Sequence, residues 1–110
     1  MEIKETQICT VAIAPTGRID VFSAPELRKV LDRHLNAGTI RFVLDLAAVT
    51  FLDSAGMAAL VSLLKRARTA GGDVKLVWPR EEAAGRILRL TKFDRVFDMA
   101  DSVEKALKGF

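Results

Sequence analysis

Val49-Thr50-Phe51-Leu52-Asp53-Ser54-Ala55-Gly56-Met57 reads as an apolar strand that ends in an acid and a hydroxyl, with a helix beginning at once. The junction places Ser54 at an exposed helix N-terminus, where the first backbone N–H groups lack partners within the helix and can receive an anion. A serine held there is open to three readings: a cap (a role that Asp53 could equally fill), a nucleophile or a phosphorylation site. Gly56 departs from good helix composition, because glycine in a first turn costs stability. It also lets another backbone or a nucleotide approach closely.

Working outward, Ile3 to Gln7 and Thr10 to Ala14 form two short strands that pair as a hairpin. Pro15-Thr16-Gly17 breaks the second strand and leads into Arg18-Ile19-Asp20. Ser23-Ala24-Pro25-Glu26 has the form of a capping box, the serine accepting from an early N–H and the glutamate reaching back. Leu27, Val30, Leu31 and Leu35 then share one helical face, and Gly38 stops the helix. Phe42 to Leu46 is almost continuously apolar, which suits a strand buried on both faces.

Beyond Ser54, the helix sets Met57, Leu60, Val61, Leu64 and Ala67 at core spacing. Lys65, Arg66 and Arg68 lie on its other side, near the C-terminal end where cations suit the dipole. Gly71-Gly72 makes a turn, and Val74 to Trp78 another buried strand. Pro79 precedes a third helix with Ala83, Ala84, Ile87 and Leu88 facing inward. Val96 and Phe97 form a short last strand, and Asp101-Ser102-Val103-Glu104 opens a terminal helix with a second acid-and-hydroxyl cap. The order β-β-α-β-α-β-α-(β)-α predicts a single α/β domain over residues 1–110. Its central sheet is mixed and mostly parallel, with four to five strands and about four helices, the opening hairpin adding an antiparallel edge.

Composition narrows the chemistry. The chain has 110 residues, half of them hydrophobic and 28% charged, which suits one globular core rather than disorder. No apolar run approaches the roughly 20 residues needed to cross a bilayer. Met1-Glu2-Ile3-Lys4-Glu5 is alternating and charged, unlike a signal peptide. A cytoplasmic protein with no membrane role is the expectation. Cys9 is the sole cysteine, which excludes an internal disulfide and a cysteine-based metal cluster.

The net charge of +3 comes from basic residues spread among acids, a solvated surface rather than a nucleic-acid patch, so no direct nucleic-acid partner is expected. His34 is the only histidine and lies in a helix far in sequence from Ser54, so a Ser-His-Asp triad lacks its base. No catalytic residue is assigned and no enzyme is expected. Neither nucleotide-binding glycine motif occurs, and no His, Cys or carboxylate cluster suits zinc or iron. Asp94, Asp98 and Asp101 lack the spacing of a calcium loop and read as solvated caps. Neither cofactor nor metal is therefore implied. Trp78 and the six phenylalanines sit in apolar runs and read as core.

Gly17-Arg18-Ile19-Asp20, Ala24-Pro25-Glu26-Leu27, Val43-Leu44-Asp45-Leu46 and Phe51-Leu52-Asp53-Ser54-Ala55-Gly56 together resemble the STAS domain, most of all the bacterial anti-sigma factor antagonists. The likeness extends to Phe93-Asp94-Arg95-Val96-Phe97. This resemblance implies a non-enzymatic switch, with Ser54 phosphorylated by an anti-sigma factor that is also a serine kinase. The unmodified form would bind that kinase and free the sigma factor. The phosphorylated form would let go, and a PP2C-type phosphatase would reset the cycle.

On the same resemblance Asp20 and Asp53 flank the phosphorylation site, and the partner-binding residues are Asp20, Asp53, Ser54, Ala55, Gly56 and Met57. A larger residue at Gly56 is expected to obstruct docking at little cost in stability. The basic net charge and a shortened first hairpin depart from the family pattern. Three other readings compete: a STAS scaffold or interaction subunit of another signalling or transporter complex, with Ser54 only a cap; an enzyme using Ser54 as nucleophile; and a basic nucleic-acid binder.

Overall fold

Strands and amphipathic helices build the chain in the order β1 (Glu2–Gln7), β2 (Thr10–Ala14), β3 (Gly17–Ile19), α1 (Ala24–Asn36), β4 (Arg41–Asp45) and β5 (Val49–Leu52). There follow α2 (Ser54–Thr69), β6 (Asp73–Val77), α3 (Glu82–Leu90), the single turn α4 (Phe93–Val96), β7 (Asp98–Ala100) and α5 (Val103–Lys108). The computed structural model describes residues 1–110.

Five strands make the central sheet in the order β1-β2-β4-β6-β7. The hairpin β1–β2 is antiparallel, with Ile3 opposite Ile13, and every other neighbouring pair in this sheet is parallel. The α/β class and the mixed, mostly parallel sheet are therefore as the sequence predicted.

Side chains on β4 alternate between two cores, which is why that strand reads as continuously apolar. Phe42 and Leu44 join Val11, Ile13, Val74 and Leu76 beneath Leu27 and Leu31 of α1 and Leu60, Leu63 and Leu64 of α2. Val43 points the other way, into a small cluster with Ala12, Val77 and Ala106 of α5. Gly38, at φ +97°, ends α1 as expected. Ser102 caps α5, accepting from the Lys105 N–H at 3.1 Å.

Several expectations need correction. Val96-Phe97 is not a strand: Phe93 and Phe97 stack at 5.5 Å between ring centroids across the single turn of α4, and Asp98–Ala100 takes the sheet edge beside Lys75–Val77. On α3 the buried positions are Ala84, Gly85 and Leu88, and Ala83 faces solvent. The inner stripe of α2 is shifted, with Ala59 and Leu63 fully buried while Met57 and Val61 sit at its edge. Phe22 is not core at all, being 89% exposed.

One feature is absent from the predicted order. β3 and β5 pair in parallel as a separate two-stranded sheet, with Ile19 opposite Leu52. A three-residue strand is too short to display alternation, so its sequence carries no period to detect. This small sheet positions the candidate site.

Candidate functional site

Because β3 and β5 run parallel, the segments that follow them leave the sheet side by side. The Asp53 N–H donates to the Ile19 carbonyl at 3.2 Å, continuing the ladder past the last strand residue. Asp20-Val21-Phe22-Ser23 and Asp53-Ser54 thereby form one surface, although they are far apart in the chain.

Asp53, not Ser54, is the N-cap of α2. Its backbone is extended (φ −106°, ψ −174°), and its Oδ1 accepts from the Ala55 and Gly56 N–H groups at 2.9 and 3.0 Å. The other oxygen, Oδ2, accepts from the Val21 N–H at 3.0 Å. One carboxylate thus closes the helix and ties down the neighbouring loop. It also occupies two of the amides that the sequence reading left free for an outside anion, which corrects that expectation. Ser54 is the first residue of α2 and is exposed. With the cap supplied by its neighbour, its hydroxyl is not needed to hold the helix.

Asp20 organises the loop in the same way. Its Oδ1 accepts from the Phe22 and Ser23 N–H groups at 3.0 and 3.1 Å, and its Oδ2 from Arg18 Nε at 3.3 Å. The Ser23 N–H, foremost, holds the Asp20 carboxyl below its ordinary pKa against an opposing push from desolvation, with Arg18 and the Phe22 N–H adding to the lowering. Ser23 does not form the predicted capping box. Its backbone is helical (φ −95°, ψ −22°), with no side-chain cap bond to α1. Its Oγ instead turns back, donating to the Arg18 carbonyl at 2.6 Å and accepting from the Asp20 N–H at 3.0 Å. Arg18 lies over the Phe51 ring, 4.2 Å from its centroid.

Gly56 is buried against β3. A Cβ at that position would strike the Ile19 carbonyl oxygen and lie 2.8 Å from Ile19 Cγ2. The close backbone approach is real, but the approaching backbone belongs to this chain. The expectation that a larger residue would leave stability nearly unchanged is therefore overturned. Ala55 and Met57 are half-buried, Met57 packing on the main core.

Asp20, Asp53 and Ser54 are thus brought to one surface, whereas Gly56 lies beneath it. Sequence reasoning passed over Val21 and read Phe22 as core, yet they are 59% and 89% exposed. The signal was present: an apolar pair with no periodic partner, set between a strand and a helix. Elsewhere, no group of three or more metal-ligating side chains occurs, and no helix is long and apolar enough to cross a membrane.

A profile of the STAS domain matches residues 1–106. A candidate anti-sigma factor antagonist from Thermotoga maritima is 31% identical over 99 residues, covering 89% of this chain and 87% of that protein. The anti-sigma-B factor antagonist of Bacillus subtilis is 33% identical over 94 residues, or 84% and 81% of the two chains. A crystal structure of a candidate anti-sigma factor antagonist from Thermotoga maritima superposes with a TM-score of 0.88 at 29% identity, covering 98% of this chain and 92% of that one.

Proposed function

The chain belongs to the STAS domain family, and from that premise we propose that it is an anti-sigma factor antagonist switched by phosphorylation of Ser54. The unmodified domain binds an anti-sigma factor that is a serine kinase and so releases a sigma factor in the cytoplasm. That kinase moves the γ-phosphoryl group of ATP to Ser54 Oγ, with ADP leaving and the hydroxyl proton lost. The modified domain then dissociates, and a PP2C-type phosphatase hydrolyses the ester. The domain itself performs no catalytic step. The observation that carries this reading is the exposed Ser54 at the first position of α2, with Asp53 already serving as cap.

The energetics favour release without unfolding. A phosphoryl group adds about 1.5 to 2 negative charges. The helix dipole favours that charge by about 0.3–1 kcal/mol, and the nearby Asp53 and Asp20 carboxylates oppose it by a comparable amount. The isolated domain therefore keeps its fold. Inside a closed interface the balance changes, since burying an uncompensated dianion costs several kcal/mol and about 1.4 kcal/mol is a tenfold loss of affinity.

Intact-mass analysis after incubation with ATP and a cognate kinase tests the proposal. The expected result is a gain of one phosphoryl group by the wild-type chain and none by Ser54→Ala. A phosphoryl group on another residue, or no transfer by a kinase that binds the domain, would return the scaffold reading.

A further inference from the structure

We propose that Phe22, flanked by Val21, is the apolar anchor that the partner kinase buries when it docks over Ser54. The inference rests on the functional reading above and names the residue that supplies its affinity.

Three observations carry it. The first is exposure: Phe22 is 89% and Val21 59% accessible, the largest apolar surface the chain displays next to the serine. A phenylalanine ring this exposed adds little packing to its own fold, and aromatic side chains weigh heavily in the energetics of protein interfaces.

The second is rigidity. The Val21, Phe22 and Ser23 N–H groups are all bonded to carboxylates, of Asp53 for the first and Asp20 for the other two, and Ser23 Oγ bonds the Arg18 carbonyl. A partner thus meets a loop that is already ordered, and little backbone entropy is lost on binding. The third is position. Val21 is hydrogen-bonded to Asp53, the residue before Ser54. A specific protein interface covers about 800 Å² on each partner, so a kinase that encloses the Ser54 hydroxyl also covers the loop beside it. The occupant is therefore the kinase, and its matching feature is an apolar pocket near its phosphoryl-transfer site.

The test titrates the kinase identified by Ser54 phosphotransfer, held with a non-hydrolysable ATP analogue, against wild type, Phe22→Ala, Phe22→Leu, Ile8→Ala and Ser54→Asp. Ile8 is 88% exposed but lies at the opposite end of α2, where Cys9 meets the start of β4, and serves as the control for loss of any apolar surface. Phe22→Ala is expected to bind about 10- to 100-fold more weakly with an unchanged melting temperature, Phe22→Leu in between, and Ile8→Ala like wild type. Wild-type affinity in Phe22→Ala, while Ser54→Asp is weakened, would overturn the anchor and leave the switch standing. Failure of the wild-type chain to bind, or indifference to Ser54→Asp, would overturn both. Wild-type sedimentation with anionic phospholipid vesicles that Phe22→Ala abolishes would assign Phe22 to a membrane instead, and would also overturn the proposal.

Discussion

Asp53 Oδ2 accepts a hydrogen bond from the Val21 N–H at 3.0 Å, across 32 residues of chain. The same carboxylate caps α2 through its other oxygen. A single side chain therefore holds two things in register: the helix start that presents Ser54, and the loop that presents Phe22. Arg18, Asp20 and Ser23 complete the frame from the loop side.

The two roles of Asp53 separate by substitution. Asp53→Ala is expected to cost about 0.5–2 kcal/mol for the lost cap, with a further loss for the untied loop. Asp53→Asn keeps one acceptor oxygen for Ala55 and Gly56 but turns an NH₂ group toward Val21, which cannot accept. It should therefore lose less stability while still loosening the loop. Denaturant titration, with amide hydrogen exchange at Val21 and Phe22, checks both. An alanine variant as stable as wild type would show that the carboxylate does not hold the junction.

At Gly56 two effects of opposite sign compete. Alanine is the better helix former by about 1 kcal/mol, so intrinsic propensity favours Gly56→Ala. The Ile19 carbonyl stands where the new methyl group would go, and overpacking against a fixed backbone typically costs about 1–3 kcal/mol. The clash is expected to win, giving a net loss of up to about 2 kcal/mol in Gly56→Ala and a larger one in Gly56→Val. A rise in melting temperature for Gly56→Ala would mean that the small sheet moves aside easily.

The Gly56 case shows what was legible in the sequence and what was not. A glycine in a first turn is visible as an anomaly, but its cause, Ile19, lies on a strand of three residues with no period of its own. Ser23-Ala24-Pro25-Glu26 has the letters of a capping box; the Asp20 carboxylate captures the Ser23 N–H, and Ser23 itself adopts a helical backbone. Pattern fails there because a tertiary contact overrides a local rule. Pattern succeeds at Phe42–Leu46 and at Gly38, where burial on both faces and a left-handed φ leave their own signatures. The place of Ser54 was legible for the same reason, since a strand-to-helix junction is local. Its neighbourhood was not, because Val21 and Phe22 reach it through β3.

The loop should also respond to acid. Asp20 has a depressed folded-state pKa, so its contribution is fully present above the unfolded aspartate value of about 3.9. It is lost as pH falls through the lower folded value. Around neutral pH the Phe22 and Ser23 amides should accordingly show no pH-dependent loosening, with the change confined to below about pH 4. Asp20→Asn should flatten that response. Amide chemical shifts followed across the acid range check this, and a loop transition near pH 6 would point to a different titrating group.

Ser54 itself gives the sharpest separation between fold and switch. Because Asp53 supplies the cap, removing the hydroxyl orphans no buried partner, and Ser54→Ala should stay within about 0.5 kcal/mol of wild type, as for an ordinary surface change. It should bind the kinase within about twofold of wild type and hold it permanently, since no phosphate can be added; about twofold corresponds to well under the 1.4 kcal/mol of a tenfold step. Ser54→Asp places a charge where the phosphate would be, beside Asp53 and the loop held by Asp20. The fold tolerates that charge in water, but the interface must desolvate it, so affinity should fall by about tenfold or more. Calorimetric titration of the three forms, beside their unfolding curves, decides the matter. Equal affinities would remove Ser54 from the interface, and a large loss of stability in Ser54→Asp would place the effect in the fold rather than in docking.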